Sequence, residues 1–215
     1  MQNMLHNYKI GCISASQTIV ITGIFLLIWA FGSYLVYVLT VPNPILCFPP
    51  LSGCVTISHA GDYPFSGFFY RLLVLPLAPL LGLSMYFIVQ FLQNINPNIH
   101  PNIRRILVIL GSVILPISFI LSEAFKDGHQ LHPQYVADLH LLTSVIAFLS
   151  LIIFQIVASF HLPKARGMLF LSLLPVFIVI FQYSTHIQYI NAIVEWNVFI
   201  SIIVWNILIG RSLRK

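Results

Sequence analysis

Charged side chains are scarce in this sequence. Lysine, arginine, aspartate and glutamate make up 7% of its 215 residues, whereas 59% of the residues are apolar. A soluble globular domain carries about 25% charged residues. Since no soluble fold could cover so much apolar surface, the composition predicts an integral membrane protein. The content of isoleucine, leucine, valine and phenylalanine also excludes intrinsic disorder.

Clustered basic charge is missing as well. The net charge is +5, but the ten lysines and arginines are scattered and lie at the ends of apolar runs. Membrane proteins place their topology signals in this way, so no nucleic-acid partner is expected. No internal repeat or low-complexity segment divides the chain, and a single domain is predicted over residues 1–215.

Six apolar runs are each long enough for a helix that crosses the hydrocarbon core of a bilayer, which takes about 17–25 residues. The predicted fold is an all-α integral membrane protein, a bundle of six transmembrane helices. The predicted spans are residues 18–40, 65–92, 104–121, 136–160, 168–187 and 193–209. A kink is expected near Pro76 and Pro79, because proline removes helical hydrogen bonds.

The basic residues predict the orientation of these spans. With six spans, eight of the ten basic residues share the side of both chain ends, and only Arg71 and Lys126 fall on the other. By the positive-inside rule, both termini are then cytoplasmic. The acidic residues all fall near the outer side: Asp62, Glu123, Asp127, Asp138 and Glu195. This topology fits a bacterial inner membrane, a eukaryotic endomembrane or a plasma membrane equally.

Ionisable residues at the outer ends of the spans are candidates for chemistry, because a charge near the centre of a membrane helix costs roughly 2.5–3.5 kcal/mol. Glu123 ends the third span, Asp138 and His140 open the fourth, and Glu195 opens the sixth. A carboxylate beside a histidine can serve as a general base, so these four are the catalytic candidates. The alternative is that they are interfacial polar residues, hydrogen-bonded to one another and to lipid headgroups.

A second group of residues is predicted to bind a lipid headgroup. The segment ISHAGDYPFSGFFYR leads from the first outer loop into the second span. Its arginine lies one to two helical turns into that span and should pair with a carboxylate or a lipid phosphate. The predicted headgroup-binding residues are Ser58, His59, Asp62, Arg71 and His186.

The outer side also carries candidate metal ligands and a candidate disulfide. His59, His140 and His186 with a carboxylate are the candidate metal ligands, but no zinc-ligand spacing such as HExxH occurs, and neither metal nor cofactor is predicted. Cys47 and Cys54 have six residues between them and can form a disulfide in an oxidising compartment. The alternative is two unpaired thiols in a proline-rich loop.

Three motifs together resemble the FRAG/DRAM/SFK family of six-span membrane proteins. The segment ISHAGDYPFSGFFYR is similar to the family's first-loop pattern I-S-x-x-G-x-x-P-P-x-x-x-F-R, with Phe65 in place of the second proline. SEAFKDG followed by ADLH is similar to the family's A-x-F-Q-E…H-x-x-G-A segment, with Lys126 in place of glutamine. VEWN is similar to the acidic-aromatic pair that opens the last span, here Glu195 and Trp196. A bacterial six-span family of unknown function is nearly as good a match.

The resemblance implies six spans and a role in lipid or endomembrane biology. The family includes a GPI-anchor lipid-remodelling factor of the Golgi and the Cwh-type amino-terminal domain, lysosomal autophagy modulators, and plasma-membrane proteins linked to phospholipid asymmetry. The first hypothesis is a protein that binds or remodels membrane lipids through an outer-face polar patch, including acyl transfer or hydrolysis. The alternative is a non-catalytic module that binds lipid or a protein partner. A transporter fits less well, because few polar groups lie at the midplane.

Overall fold

Helices make up most of the chain in the computed structural model, which describes residues 9–10, 13–126, 134–162, 167–185 and 190–213. The helices are α1 (Ala15–Thr40), α2 (Pro49–Ser52), α3 (Ile57–Ala60), α4 (Pro64–Ile95), α5 (Pro101–Val108), α6 (Leu115–Lys126), α7 (Gln134–His161), α8 (Leu169–Thr185) and α9 (Ile190–Leu213). Two short strands, β1 (Lys9–Ile10) and β2 (Ile13–Ser14), pair antiparallel just before α1. The predicted all-α fold is confirmed.

Five helices of the described chain are long and apolar enough to cross a membrane. They are Ala15–Thr40, Pro64–Ile95, Pro101–Phe125, Asp138–His161 and Ala192–Leu213. The fifth predicted span coincides with α8, which has 17 residues and is apolar over Leu169–Ile178. The structure therefore supports a multi-pass membrane protein with five candidate spans, where the sequence predicted six.

The long helices pack as a closed ring. Around the ring, α1 contacts α4, α4 contacts α6, α6 contacts α7, α7 contacts α8, α8 contacts α9, and α9 returns to α1. The first and last long helices of the described chain are thus neighbours. One apolar core fills the inside of the ring, with Trp29, Leu81, Phe154 and Trp205 among its buried side chains. Residues from distant parts of the sequence meet there.

Glycines allow α1 and α9 to approach closely. A Cβ on Gly23 would lie 2.8 Å from Ile207 Cγ1, and a Cβ on Gly210 would lie 2.6 Å from Val20 Cγ2. Small residues at such contacts are typical of membrane helices, where close backbone packing replaces the hydrophobic effect. Because α1 and α9 pack so closely, the loop that follows α1 lies next to the beginning of α9.

The third predicted span departs from regular α-helix. The segment Ile109–Ile114 between α5 and α6 is a π-helix, in which the Leu115 N–H donates to the carbonyl of Leu110, five residues back. Pro116 follows and has no N–H to donate to the carbonyl of Ser112. Gly82 packs against this position, since a Cβ there would lie 3.2 Å from the Ser112 oxygen.

The sequence predicts a helix kink at a different place, near Pro76 and Pro79 of α4. Helix α4 continues through both prolines from Pro64 to Ile95. Neither proline has an N–H for the helical ladder, so the kink near them stays a prediction. The π-helix lies in the neighbouring helix, at a position that α4 contacts through Gly82.

Candidate functional site

Three consecutive residues at the beginning of α9 bind the loop between α1 and α4, residues 41–63, which we call the α1–α4 loop. Each bonds a different backbone group of that loop. The bonds are Ser58 N–H to Glu195 Oε1 at 3.2 Å, Trp196 Nε1–H to the Val55 carbonyl at 2.8 Å, and Asn197 Nδ2–H to the Pro50 carbonyl at 2.9 Å. The acidic-aromatic pair identified in the sequence therefore holds the loop against the bundle.

Two tyrosines of α1 hold the other end of the loop. The Tyr34 hydroxyl accepts from the Cys47 N–H at 3.1 Å and lies 2.9 Å from the Cys47 carbonyl. The Tyr37 hydroxyl accepts from the Ile45 N–H at 3.1 Å. Cys47 and Cys54 form a disulfide, with their Cα atoms 6.6 Å apart.

A cavity of about 250 Å³ lies inside the ring of helices, next to the α1–α4 loop. Most of its wall is apolar, with leucines from α1, α4, α6 and α7. The polar side chains of the wall come from five helices: Ser58, Tyr70, Ser122, Glu123, His140, Ser144 and Glu195. Three of the four predicted catalytic residues are among them.

His140 is held by the last turns of α6. Its Nδ1 lies 2.7 Å from the Ser122 carbonyl. A carbonyl oxygen can only accept a hydrogen bond, so Nδ1 carries the proton; in the neutral ring the lone pair is then on Nε2. The Ser122 hydroxyl lies 2.6 Å from that of Ser144, which follows His140 by one helical turn. These contacts fix the orientation of the imidazole.

Two carboxylates share this cavity with the imidazole. Glu123 is buried near the end of α6, with 8% of its surface exposed, and the hydroxyl of the buried Tyr70 is hydrogen-bonded to it. Glu195 is partly buried, lines the same cavity and accepts from the Ser58 N–H. Two acids, an imidazole and a phenol therefore line one otherwise largely apolar cavity.

The cavity also has an aromatic wall, formed by Trp29, Tyr70, Phe119, Phe148 and Phe199. The ring centroid of Trp29 lies 4.7 Å from that of Tyr70, 5.3 Å from Phe119 and 4.8 Å from Phe199. Sequence reasoning missed this wall. Its members come from five helices, and aromatic residues are common on every face of these spans.

Asp138 lies apart from the other catalytic candidates. It is exposed at the start of α7 and is absent from the described lining of the cavity. Two residues apart on a helix, side chains point about 200° from each other. Because His140 faces into the ring, Asp138 faces away from it.

Most of the predicted headgroup-binding residues also lie outside the cavity. His59 and Asp62 are exposed and pair with each other, with Nδ1 and Oδ2 3.4 Å apart. Arg71 is exposed on α4, with its guanidinium close to Gly67. Ser58 does line the cavity, whereas His186 lies outside the described residues.

A metal site is not formed by the residues that the structure describes. Among them, no three histidine, cysteine, aspartate or glutamate side chains converge closely enough to hold an ion. Glu123, His140 and Glu195 share the cavity without meeting at one point.

No family model, curated protein or solved structure matches this chain. The resemblance to the FRAG/DRAM/SFK family therefore stays a prediction from the motifs.

Loss of one hydrogen bond tests the attachment of the α1–α4 loop. We expect Trp196→Phe to leave the buried Val55 carbonyl without its donor and to cost about 1–3 kcal/mol. Protease cleavage within residues 41–63 should become faster. Limited proteolysis of the detergent-solubilised protein, followed by mass spectrometry, measures this.

Trp205→Phe is the matched control. It also removes one buried indole hydrogen bond, the 2.8 Å contact from Trp205 Nε1 to the Ser159 hydroxyl, but far from the loop. It should lower the thermal unfolding temperature without accelerating cleavage in the loop. Equal acceleration by both variants would show that general destabilisation, and not the attachment, controls the loop.

Proposed function

We propose that this protein binds a membrane lipid, with the polar end of the lipid in the cavity. The observation that supports this is that Glu123, His140 and Glu195 line the same cavity as a largely apolar wall. A lipid has the same division, with a polar headgroup or linkage at one end and hydrocarbon at the other. Ligand sites of membrane bundles are built in this way, from a few polar groups on facing helices.

The size of the cavity and its position in the ring suit part of a lipid. At about 250 Å³ it is smaller than the roughly 300–1,000 Å³ that encloses a whole drug-sized ligand. Leu141 and Val145 of α7 line it, yet they are 63% and 43% exposed. In a bilayer these side chains would contact hydrocarbon. We infer that the lipid reaches the cavity sideways past α7 and leaves its acyl chains in the membrane.

We further propose a six-span topology with both termini cytoplasmic. Helix α8, at 17 residues, has the length of the shortest spanning helices. With α8 counted as a span, eight of the ten basic residues fall on the side of the chain ends. The α1–α4 loop and the polar end of the cavity then lie on the outer face.

A second candidate function is chemical remodelling of the bound lipid. It is favoured by the bond from His140 Nδ1–H to the Ser122 carbonyl, which fixes the orientation of the imidazole in the cavity and sets the lone pair of the neutral ring on Nε2. With Glu123 and Glu195 in the same cavity, His140 would act as a general base on a water or hydroxyl that attacks an acyl linkage. Asp138, which is exposed, would have no direct part in that step.

Cysteine accessibility tests the topology. We expect a membrane-impermeant maleimide to label Pro42→Cys in intact cells, and Arg211→Cys only after permeabilisation, both in a Cys12→Ser background. Both positions are exposed in the structure. Labelling of Arg211→Cys in intact cells would instead indicate five spans, with α8 not crossing.

Filling the cavity tests lipid binding. Val145→Trp places a large side chain in the wall of the cavity while keeping an apolar surface towards the membrane. We expect several-fold less lipid to co-purify with the protein, measured by lipid mass spectrometry per mole of protein. Ile153→Trp is the control, because Ile153 lies two turns further along α7, is 44% exposed and is not part of the described lining. An equal lipid content in both variants would contradict the proposal.

The remodelling candidate is tested with His140→Ala. Loss of a general base typically lowers a rate by about 10²–10⁴-fold, so cells that depend on the variant should accumulate the unremodelled lipid. Total lipid profiles of these cells are compared with those of cells expressing the wild type or Asp138→Asn. Normal expression of His140→Ala with an unchanged lipid profile would leave binding without catalysis as the function.

A further inference from the structure

A second, smaller cavity lies at the other end of the bundle from the cavity lined by His140. It has a volume of about 120 Å³ and lies between the last turns of α4, the turn that follows and the first turns of α5. Its polar side chains are Gln93, Asn96 and Arg104. The rest of its described lining is valine, leucine, isoleucine and proline. One cation and two amides therefore share a small, otherwise apolar space.

No carboxylate of the described chain pairs with Arg104. The described acids lie at the opposite end of the long helices, and they are Asp62, Glu123, Asp138 and Glu195. Within the part of the chain that the structure describes, the Arg104 side chain forms no ion pair or hydrogen bond. It is nevertheless partly buried, whereas Arg105 is exposed and outside the described lining. A cation that is partly withdrawn from water gains most from an anionic partner.

The two amides suit an anion that has several oxygens. Gln93 and Asn96 each carry an NH₂ group with two donors, and in the described chain neither side chain bonds another residue. The planar guanidinium presents its N–H groups as a fork that matches phosphate oxygens. One water needs about 10–15 Å³ of cavity, so about 120 Å³ admits a group as large as a phosphate.

The surface beside this cavity indicates where such a phosphate would come from. Ile106 and Ile109 follow Arg104 in the chain and are 53% and 51% exposed. In a bilayer these side chains would contact hydrocarbon, which sets the guanidinium near the level of the lipid headgroups. Arginines at a membrane surface attract anionic headgroups. A membrane lipid is therefore the expected source of the phosphate.

We propose that this second cavity binds the phosphate group of an anionic membrane lipid. Arg104 holds the phosphate oxygens together with Gln93 and Asn96, and the acyl chains lie outside the cavity, alongside Ile106. Inorganic phosphate offers the same chemistry without the chains, so the experiment has to separate the two sources. The site lies at the other end of the bundle from His140 and does not rest on the function proposed above.

Matched probes test the chemistry of the ligand. Native mass spectrometry of the full chain in a nonionic detergent measures the affinity for dioctanoyl phosphatidate, dioctanoylglycerol and inorganic phosphate. We expect the phosphatidate to bind about tenfold more tightly than the uncharged diacylglycerol, and inorganic phosphate to bind more weakly than the phosphatidate. Equal affinities for the two lipids, or binding of no probe, would overturn the proposal. If inorganic phosphate binds as tightly as the phosphatidate, the lipid as its source is overturned.

Two neighbouring arginines locate the site. Arg104→Gln removes the cation of the cavity and should reduce the tenfold preference for the phosphatidate to about twofold or less. Arg105→Gln is the matched control, because it removes the same charge from the next residue, which is exposed and outside the described lining. It should leave the preference unchanged. An equal loss in both variants would show attraction to surface charge in general, and an unchanged preference in Arg104→Gln would place the phosphate elsewhere; either result overturns the site. The comparison of probes on the wild-type protein does not depend on the folding of a variant.

Discussion

The attachment of the α1–α4 loop to the beginning of α9 is the constraint on which the site depends. Trp196 and Asn197 donate to carbonyls of the loop, and Glu195 accepts from the N–H of Ser58 at the start of α3. The Trp196 bond is fully buried, where an unmade hydrogen bond is costly. Because Glu195 also lines the cavity, one side chain takes part both in the attachment of the loop and in the wall of the cavity.

The ring of helices explains how residues far apart in the sequence come to share one cavity. Glu123, His140 and Glu195 each lie within about two turns of one end of α6, α7 or α9. Alternating helix directions put these ends on the same side of the bundle, and closure of the ring turns one face of each helix inward. Polar, aromatic and aliphatic side chains from different helices then line one cavity.

The apolar runs and the polar residues of interest could be predicted from the sequence, but the faces of the helices could not. Spanning helices need long apolar stretches, so hydropathy alone indicated where α1, α4, α7 and α9 lie. Asp138 and His140 looked equivalent because both open the same span, whereas only His140 faces the cavity. A helix between lipid and protein is apolar all round, so no amphipathic pattern separates its two sides.

The sequence by itself determined the membrane class, the all-α fold and the rarity of ionisable groups, because burial in hydrocarbon restricts composition so strongly. Only the tertiary structure decided which of those groups meet. It brought Glu123, His140 and Glu195 together, left Arg71 and the His59–Asp62 pair exposed, and assembled the wall around Trp29. The physical reason is that helix packing depends on shape, as at Gly23 and Gly210, and shape complementarity between distant helices leaves no local pattern in the chain.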